Sequence, residues 1–295
     1  MMSEGARLLK TIDLEGEGRF LAADWLGRDA LSLILKAHRE TRDPARVLKR
    51  NLGTVVTRVP LFQPPSSSAP ERSSSRPSEV VVKETPTPWR RRAGAFLGAR
   101  SPYLREFAKA QRLEELGFLV ARPLAATVST FRAREFLVTE LVEDGVSLRE
   151  LLWLGDRVIQ DPSERALLLS EVGRWLRGLH ERGVWQRDMK PANLLVRRRE
   201  GSGAEIFLVD ITRVRCQGAP LGNRRRLRNL GQLLDLPKSL DIVARDPLLK
   251  AYLLNDQGSI DGWAEDVSKA VESRRANRKK ECGLLYPDEE HFSHG

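Results

Sequence analysis

The stretch "QRDMKPANLLV", residues 186 to 196, places Asp188, Lys190 and Asn193 close together across a turn marked by Pro191. Moving a phosphoryl group needs a carboxylate to orient the acceptor hydroxyl, a cation on the nucleotide phosphates and metal ions to neutralise oxygen charge. Asp188 can face an acceptor, while Asn193, five residues on and at the head of the run "NLLV", turns toward a metal. Asp210 closes the run "IFLVD", where a carboxylate completes the same oxygen-rich site. Lys83 ends "EVVVK", a strand pattern that holds an ammonium against phosphates. Any one of these residue types is common on a solvated surface; their joint order along the chain is what points to phosphoryl transfer.

Elements of definite kinds must position these side chains. "GTVVTRVPL" and "SEVVVKE" are β-branched runs bounded by breakers and predict two strands of one sheet. The Ser- and Pro-rich stretch from 61 to 78 holds too little apolar surface to fold and predicts a flexible insertion between them. "EFLVTELV", 135 to 142, predicts a third strand. Between the second and third, "SPYLREFAKAQRLEELG" predicts a helix, with Ser101 as cap, Pro102 in the first turn and Gly117 as stop. From 164 to 180 the spacing of Leu168, Val172, Trp175 and Leu179 predicts a buried helix that delivers the chain into the quoted loop, with His180 packed at its end. After the loop, "NLLVR" and "EIFLVD" predict two strands around the turn "EGSGA", and helical patterns follow to about residue 275. The expected fold class is α+β, with a small antiparallel-sheet half and a mainly helical half. The expected divisions are a partly helical N-terminal extension at 1–50, a sheet half at 51–143 with its insertion at 62–78, a helical half at 144–275, and a basic then polar tail at 276–295.

With 295 residues and ordinary apolar and charged fractions, the chain is not disordered throughout. Its longest apolar runs, such as "ALSLIL", fall far short of the roughly 20 residues that cross a bilayer. The start, "MMSEGARLLKTIDLEGEG", is too acidic and interrupted for a signal peptide. Cys216 and Cys282 stand far apart without metal-ligand spacing, which argues against a structural zinc and for a reduced, cytoplasmic protein. The net charge of +10 points to a polyanionic partner. The basic clusters at 197–199, 224–228 and 274–280 have no interleaved aromatics of the kind that stack on bases, so nucleic acid is not the expected partner.

The loop and the turn at Asp210 resemble those of the protein-kinase-like superfamily, whose catalytic loop reads H-R-D-L-x-x-x-x-N and whose metal-binding turn reads D-F-G. Here they are "QRDMKPAN" and "DIT". Within that superfamily the chain most resembles the bacterial lipopolysaccharide kinases that act on Kdo and heptose. The likeness runs through "REFAKAQRLEELGFLVARPLA", "FLVTELVEDGVSLRELL", "LRGLHERGVWQRDMKPANLLV", "IFLVDITRVR" and "RRLRNLGQLL", over roughly residues 50 to 255. The resemblance implies a two-lobed protein-kinase-like fold that uses ATP and Mg2+. It implies Asp188 as the catalytic carboxylate, Asn193 and Asp210 as magnesium ligands, and Lys83 as the nucleotide-phosphate lysine. Glu106 is the implied helix carboxylate for Lys83, with Glu114 as its rival, and Lys190 is aimed at the transferred phosphate. Thr139 to Leu141, Glu140 and Leu141 above all, are the implied hinge that reads adenine through backbone groups.

Three departures qualify the resemblance. "NLGTVVTRV" has one glycine, Gly53, where three would let the backbone approach the phosphates. Thr212 replaces the glycine after the metal-binding Asp, which implies a fixed turn. Gln186 stands in the place of the loop His, but retains a donor and an acceptor. The expected activity is therefore ATP-dependent transfer to a hydroxyl of an anionic saccharide or glycolipid. A protein Ser/Thr kinase and a silent scaffold that binds an anionic partner are the competing readings. "ITRVRCQGAPLGN" leads into the basic "RRRLR" with no A-P-E motif, leaving little chain for a peptide platform and placing Arg224, Arg225, Arg226 and Arg228 where phosphates of a glycolipid or an anionic inner-membrane surface could be met.

Overall fold

The computed structural model describes residues 9–41, 43–51, 53–61, 78–95, 100–128, 132–153, 157–199, 202–236, 238–253 and 260–282. It divides into two compact units, Met1–Glu143 and Asp144–Gly295.

The first unit is built on a seven-stranded sheet. Its elements in chain order are β1 (Leu9–Leu14), β2 (Gly18–Ala23), α1 (Arg28–Glu40), β3 (Val47–Asn51), β4 (Thr54–Pro60), β5 (Glu79–Pro86), α2 (Trp89–Ala95), α3 (Leu104–Glu115), β6 (Leu119–Val120), β7 (Pro123–Thr127) and β8 (Arg134–Glu140). The sheet order is β1-β2-β7-β8-β5-β4-β3, and the neighbouring pairs are antiparallel. All three strands expected here are present, as β4, β5 and β8. The stretch read as an N-terminal extension is more than that: it supplies helix α1, strands β1 and β2, which join the sheet through pairs such as Phe20↔Thr127, and most of β3, which pairs with β4. The insertion lies outside the described residues as far as 77, but its base is closed, with Leu61 N–H donating to Ser78 O at 2.9 Å.

Period-2 alternation decides what each face of this sheet carries. On one face Phe20, Val59, Val80, Val82, Phe136 and Val138 form a core with Leu31, Ile34 and Leu35 of α1. On the other, Ala126 and Leu137 pack against Tyr103, Leu104 and Phe107 at the start of α3. Helix α3 ends as expected at Gly117 (φ +82°), where Phe118 N–H bonds Leu113 O and Gly117 N–H bonds Glu114 O, the Schellman pattern. Its start differs from the expected serine cap. Ser101 Oγ donates to Glu135 Oε2 at 2.6 Å and accepts from Tyr103 N–H at 3.3 Å, so Ser101 anchors the preceding turn and the helix begins at Leu104.

The second unit contains β9 (Val146–Ser147), α4 (Leu148–Trp153), α5 (Pro162–Glu181), β10 (Val184–Gln186), β11 (Leu194–Arg199), β12 (Ser202–Leu208), β13 (Val214–Cys216), α6 (Asn223–Leu233), α7 (Lys238–Tyr252) and α8 (Ile260–Cys282). Asp161 caps α5 by accepting from Ser163 N–H at 2.9 Å, and Pro162 occupies the first turn. Leu168, Leu169, Val172, Leu176 and Leu179 are its buried face. Trp175, placed on that stripe from the sequence, is half-buried, because the 3.6-residue period carries Leu176 into the core position instead. Helix α7 packs closely on α5 at Gly173, where an added Cβ would stand 2.3 Å from Leu248 O. Helix α8 runs past the expected boundary at 275 to Cys282. The two strands expected after the loop are β11 and β12, in antiparallel register Leu194↔Leu208.

Candidate active site

In the second unit, α5 hands the chain through β10 to the loop 187–193, which closes with a 3₁₀ turn at Pro191–Asn193. Asp188 is half-buried, and Lys190 Nζ lies 3.0 Å from its Oδ2. Asn193 Nδ2 donates to Asp188 O at 2.8 Å, which fixes the amide and leaves Oδ1 as the atom to offer a cation. Asn193 O accepts from Val209 N–H at 3.0 Å, so the residue before Asp210 is tied directly to Asn193. Asp210 is exposed, with a left-handed backbone (φ 54°, ψ 56°), and Thr212 Oγ1 donates to its Oδ1 at 3.1 Å. The fixed turn expected from Thr212 therefore has a physical basis in this hydroxyl–carboxylate bond.

Gln186 links the two parts. Fully buried, it donates from Nε2 to Asp210 O at 3.0 Å and accepts at Oε1 from Asp188 N–H at 3.3 Å. Both functions of the amide are used, one on each candidate segment, so a side chain with one donor and one acceptor suffices at this position.

A layer below the loop was not foreseen from the sequence. Gln232 of α6 accepts from Met189 N–H at 3.0 Å and donates to Arg187 O at 2.9 Å. Asn229, one turn earlier, donates to Gln186 O at 2.6 Å and to Gln232 Oε1 at 3.2 Å. Its Oδ1 faces His180 Nε2 at 3.1 Å, and His180 Nδ1 lies 2.8 Å from the Tyr252 hydroxyl. Since Asn229 Oδ1 can only accept, Nε2 carries the proton and Nδ1 accepts from Tyr252. Burial drives the His180 pKa down from 6.5 to about 4, against the hydrogen bond to Asn229 and together with the charges of Arg226 and Arg177. His180 is thus packed at the helix end, as expected, and neutral. The available signal was a polar pair three residues apart inside the leucine stripe of "RNLGQLL".

In the first unit, Lys83 projects from β5 with Nζ 5.6 Å above the centre of the Tyr103 ring, whose hydroxyl lies 2.7 Å from Thr85 Oγ1. Lys83 and Thr85 share one face of β5, and Tyr103 leads into α3, so both are held at the start of that helix. Glu106 lies in the first turn of α3 and is buried, at 2% exposure. Glu114, its rival as partner of Lys83, lies 2.6 Å from Arg122. At the expected hinge, Glu140 N–H donates to Arg122 O at 2.8 Å, and Leu141 follows the end of β8.

The basic residues after Asp210 divide in their contacts. Arg226 Nε donates to Leu221 O at 2.7 Å and holds the entry to α6. Arg225 bonds Gln217 and lies over the Trp185 ring at 4.8 Å, with Arg187 over the same ring at 5.7 Å. Arg224 and Arg228 are exposed.

The family model described as "Lipopolysaccharide kinase (Kdo/WaaP) family" matches residues 97–252, more than half of the chain. The chain belongs to this lipopolysaccharide kinase family. It is accordingly a kinase, a phosphotransferase of protein-kinase-like fold, and the matched span holds Glu106, Asp188, Lys190, Asn193 and Asp210. Among solved structures, it is similar to "WaaP in complex with acyl carrier protein", at 21% identity and TM-score 0.44 over 76% of this chain and 88% of that one. It is also similar to the Mycobacterium tuberculosis PknI kinase domain, at 17% identity and TM-score 0.37 over 76% of this chain and 94% of that one. The comparison with curated proteins found no match. No helix among the described residues is long and apolar enough to cross a membrane.

Proposed function

We propose that this kinase transfers the γ-phosphate of ATP, with Mg2+, to a hydroxyl of an anionic saccharide of the lipopolysaccharide-core type. The observation that carries the reading is Gln186, whose single amide bonds both the Asp188 and the Asp210 segments. Two parts that phosphoryl transfer needs together are thereby coupled through one buried side chain.

In this reading Asp188 orients the acceptor hydroxyl and takes its proton, while Lys190, beside it, meets the transferred phosphate. Asn193 Oδ1 and the Asp210 carboxylate are the magnesium ligands. An amide oxygen and a carboxylate are the hard oxygen donors that suit magnesium, which keeps several of its waters. When bound, the ion neutralises charge on the phosphate oxygens. Lys83 engages the nucleotide phosphates. Glu106 is its carboxylate partner, a reading supported by the burial of Glu106 one turn from Tyr103 and by the engagement of Glu114 with Arg122. Backbone groups of Glu140 and Leu141 contribute to the adenine edge.

The acceptor class rests on the segment after Asp210. It passes through the 3₁₀ turn Ile211–Arg213 and the short β13, paired to β10, before α6 begins at Asn223. A peptide platform needs more chain than this. The test is transfer from labelled ATP to dephosphorylated lipopolysaccharide-core saccharides and to a peptide panel, with Asp188→Asn as the blank. Efficient peptide phosphorylation with no saccharide accepted would favour the protein-kinase reading. Absence of all ATP turnover would favour the scaffold reading.

A further inference from the structure

The first unit contains a cavity of about 820 Å3 that is lined by none of Lys83, Glu106, Glu140 and Leu141, though Gly53, the glycine of the candidate phosphate loop, stands on its rim. It lies on the α1 face of the sheet. Glu84, which lines it, hydrogen-bonds His38 of α1, whereas Lys83, the residue before it, projects to the opposite face and meets Tyr103. The cavity and the nucleotide lysine are therefore separated by the thickness of the sheet.

The floor is polar and built. His38, 4% exposed, lies 2.7 Å from Thr57 Oγ1 through Nδ1 and 2.8 Å from Glu84 Oε2 through Nε2. The second Glu84 oxygen is 2.8 Å from Arg134, which also reaches Gly53 O at 3.5 Å. Hydrogen bonding from His38, with the charge of Arg134, lowers the Glu84 pKa, so this carboxylate is ionised at neutral pH. Arg39 pairs with Glu17 and lies over the Phe136 ring at 5.5 Å, giving one apolar wall.

The charge is unbalanced. Arg39, Arg50, Arg132 and Arg134 line the cavity against Glu17 and Glu84. Glu17 pairs with Arg39 and Glu84 with Arg134. Arg50 and Arg132 are exposed and form no ion pair among the described residues, so the surplus charge is theirs. Guanidinium groups present planar forks that match phosphate oxygens. The volume falls in the range of roughly 300–1,000 Å3 that small-molecule sites occupy.

We propose that this cavity is a second ligand site, separate from the nucleotide site, for a small phosphate-bearing molecule of sugar-phosphate size. Arg50 and Arg132 take the phosphate, and the His38–Thr57–Glu84 floor offers the polar surface for hydroxyls. The cavity is bordered by the turn at Gly16 and Glu17, the turn at Gly53, the strand entry at Arg132 to Arg134 and the end of α1. An occupant would tie these together and raise the melting temperature by binding the folded state alone.

The experiment is calorimetric titration and thermal shift of the full chain with glucose 6-phosphate, inorganic pyrophosphate and unphosphorylated glucose, without magnesium. Wild type is compared with Arg50→Gln/Arg132→Gln and with Lys83→Met. Glucose 6-phosphate is expected to bind and raise the melting temperature, with glucose inert; binding of pyrophosphate as well would assign recognition to phosphate alone. Affinity should fall about ten-fold or more in the double Arg variant, as for loss of charge-assisted contacts, and stay within about two-fold in Lys83→Met. Both arginines are exposed, so the double variant is expected to keep the unliganded melting temperature. No binding of either phosphate probe at millimolar concentration would overturn the proposal. So would equal response to glucose, or loss of binding that follows Lys83→Met and spares the Arg variant.

Discussion

Gln186 donates to Asp210 O at 3.0 Å from within the fold, reaching across 24 residues of sequence to hold the turn that presents the Asp210 carboxylate. The same side chain accepts from Asp188 N–H. Replacement by Leu keeps the volume but leaves two backbone groups without their partner, at a cost of about 1–3 kcal/mol. Gln186→Leu is expected to lower kcat more than it raises KM, together with a fall in melting temperature. Gln186→His, which retains a donor, is expected to keep most of the activity. Wild-type kcat in the Leu variant would show that the bridge does not position the site.

Asp188→Asn and Asp210→Asn each remove a charge without changing shape. Asp188 carries the acceptor proton and Asp210 a metal bond in the proposed chemistry, so each variant is expected to reduce transfer by about 10² to 10⁴-fold. Their melting temperatures should stay near wild type. For Asp210→Asn, the stabilisation by nucleotide that depends on magnesium should also vanish. Equal turnover in wild type and both variants would reject these assignments.

Much of this arrangement was legible in the sequence, because strands and turns are encoded locally. "EVVVK" and "EFLVTE" declare β5 and β8 by β-branched and aromatic content, and the spacing of Asp188, Asn193 and Asp210 survives in linear form. What was missed depends on distant partners. "LKTIDL" and "GRFLAA", placed within a partly helical extension, become β1 and β2 by pairing with each other and, through β2, with β7. Ser101 looked like a helix cap until Glu135, distant in sequence, claimed its hydroxyl. Asn229 and Gln232 resemble any surface polar pair until α6 is laid under the loop.

That hidden layer is testable. Asn229→Leu would strip donors from Gln186 O and Gln232 and an acceptor from His180, all within a buried network. A loss of about 2 kcal/mol or more is expected from the unsatisfied groups, read by urea denaturation, together with reduced kcat. A variant as stable as wild type would mean that water replaces the amide at no cost.

His180 makes stability depend on pH in a stated direction. Its folded pKa of about 4 lies below the ordinary 6.5, so above pH 6.5 both folded and unfolded chains leave it neutral. As pH falls from 6.5 toward 4, the unfolded chain binds a proton that the folded chain refuses, and stability drops by about 3 kcal/mol across the window. Glu84, whose pKa is lowered, adds its own loss only below the ordinary carboxylate range. His180→Gln should therefore flatten the stability profile between pH 6.5 and 4.5, where Glu84 is silent. An unchanged slope in that variant would assign the acid sensitivity elsewhere.

The acceptor reading turns on the arginines of α6. Arg226 holds Leu221 O and belongs to the scaffold, so it is left intact. Arg224 and Arg228 are exposed, and Arg225 extends over Trp185 beside Arg187, near the segment that carries Asp188. Such cations attract an anionic acceptor, and each exposed contact is worth up to about 1 kcal/mol in low salt. Arg224→Gln/Arg225→Gln/Arg228→Gln is expected to raise the KM for an anionic saccharide acceptor about ten-fold while leaving the KM for ATP near wild type. The difference between variant and wild type should shrink as salt is added, because screening removes the attraction from both. A parallel rise in both KM values would place the arginines on the nucleotide. No change in either would leave them a solvated helix face and remove the electrostatic support for an anionic acceptor.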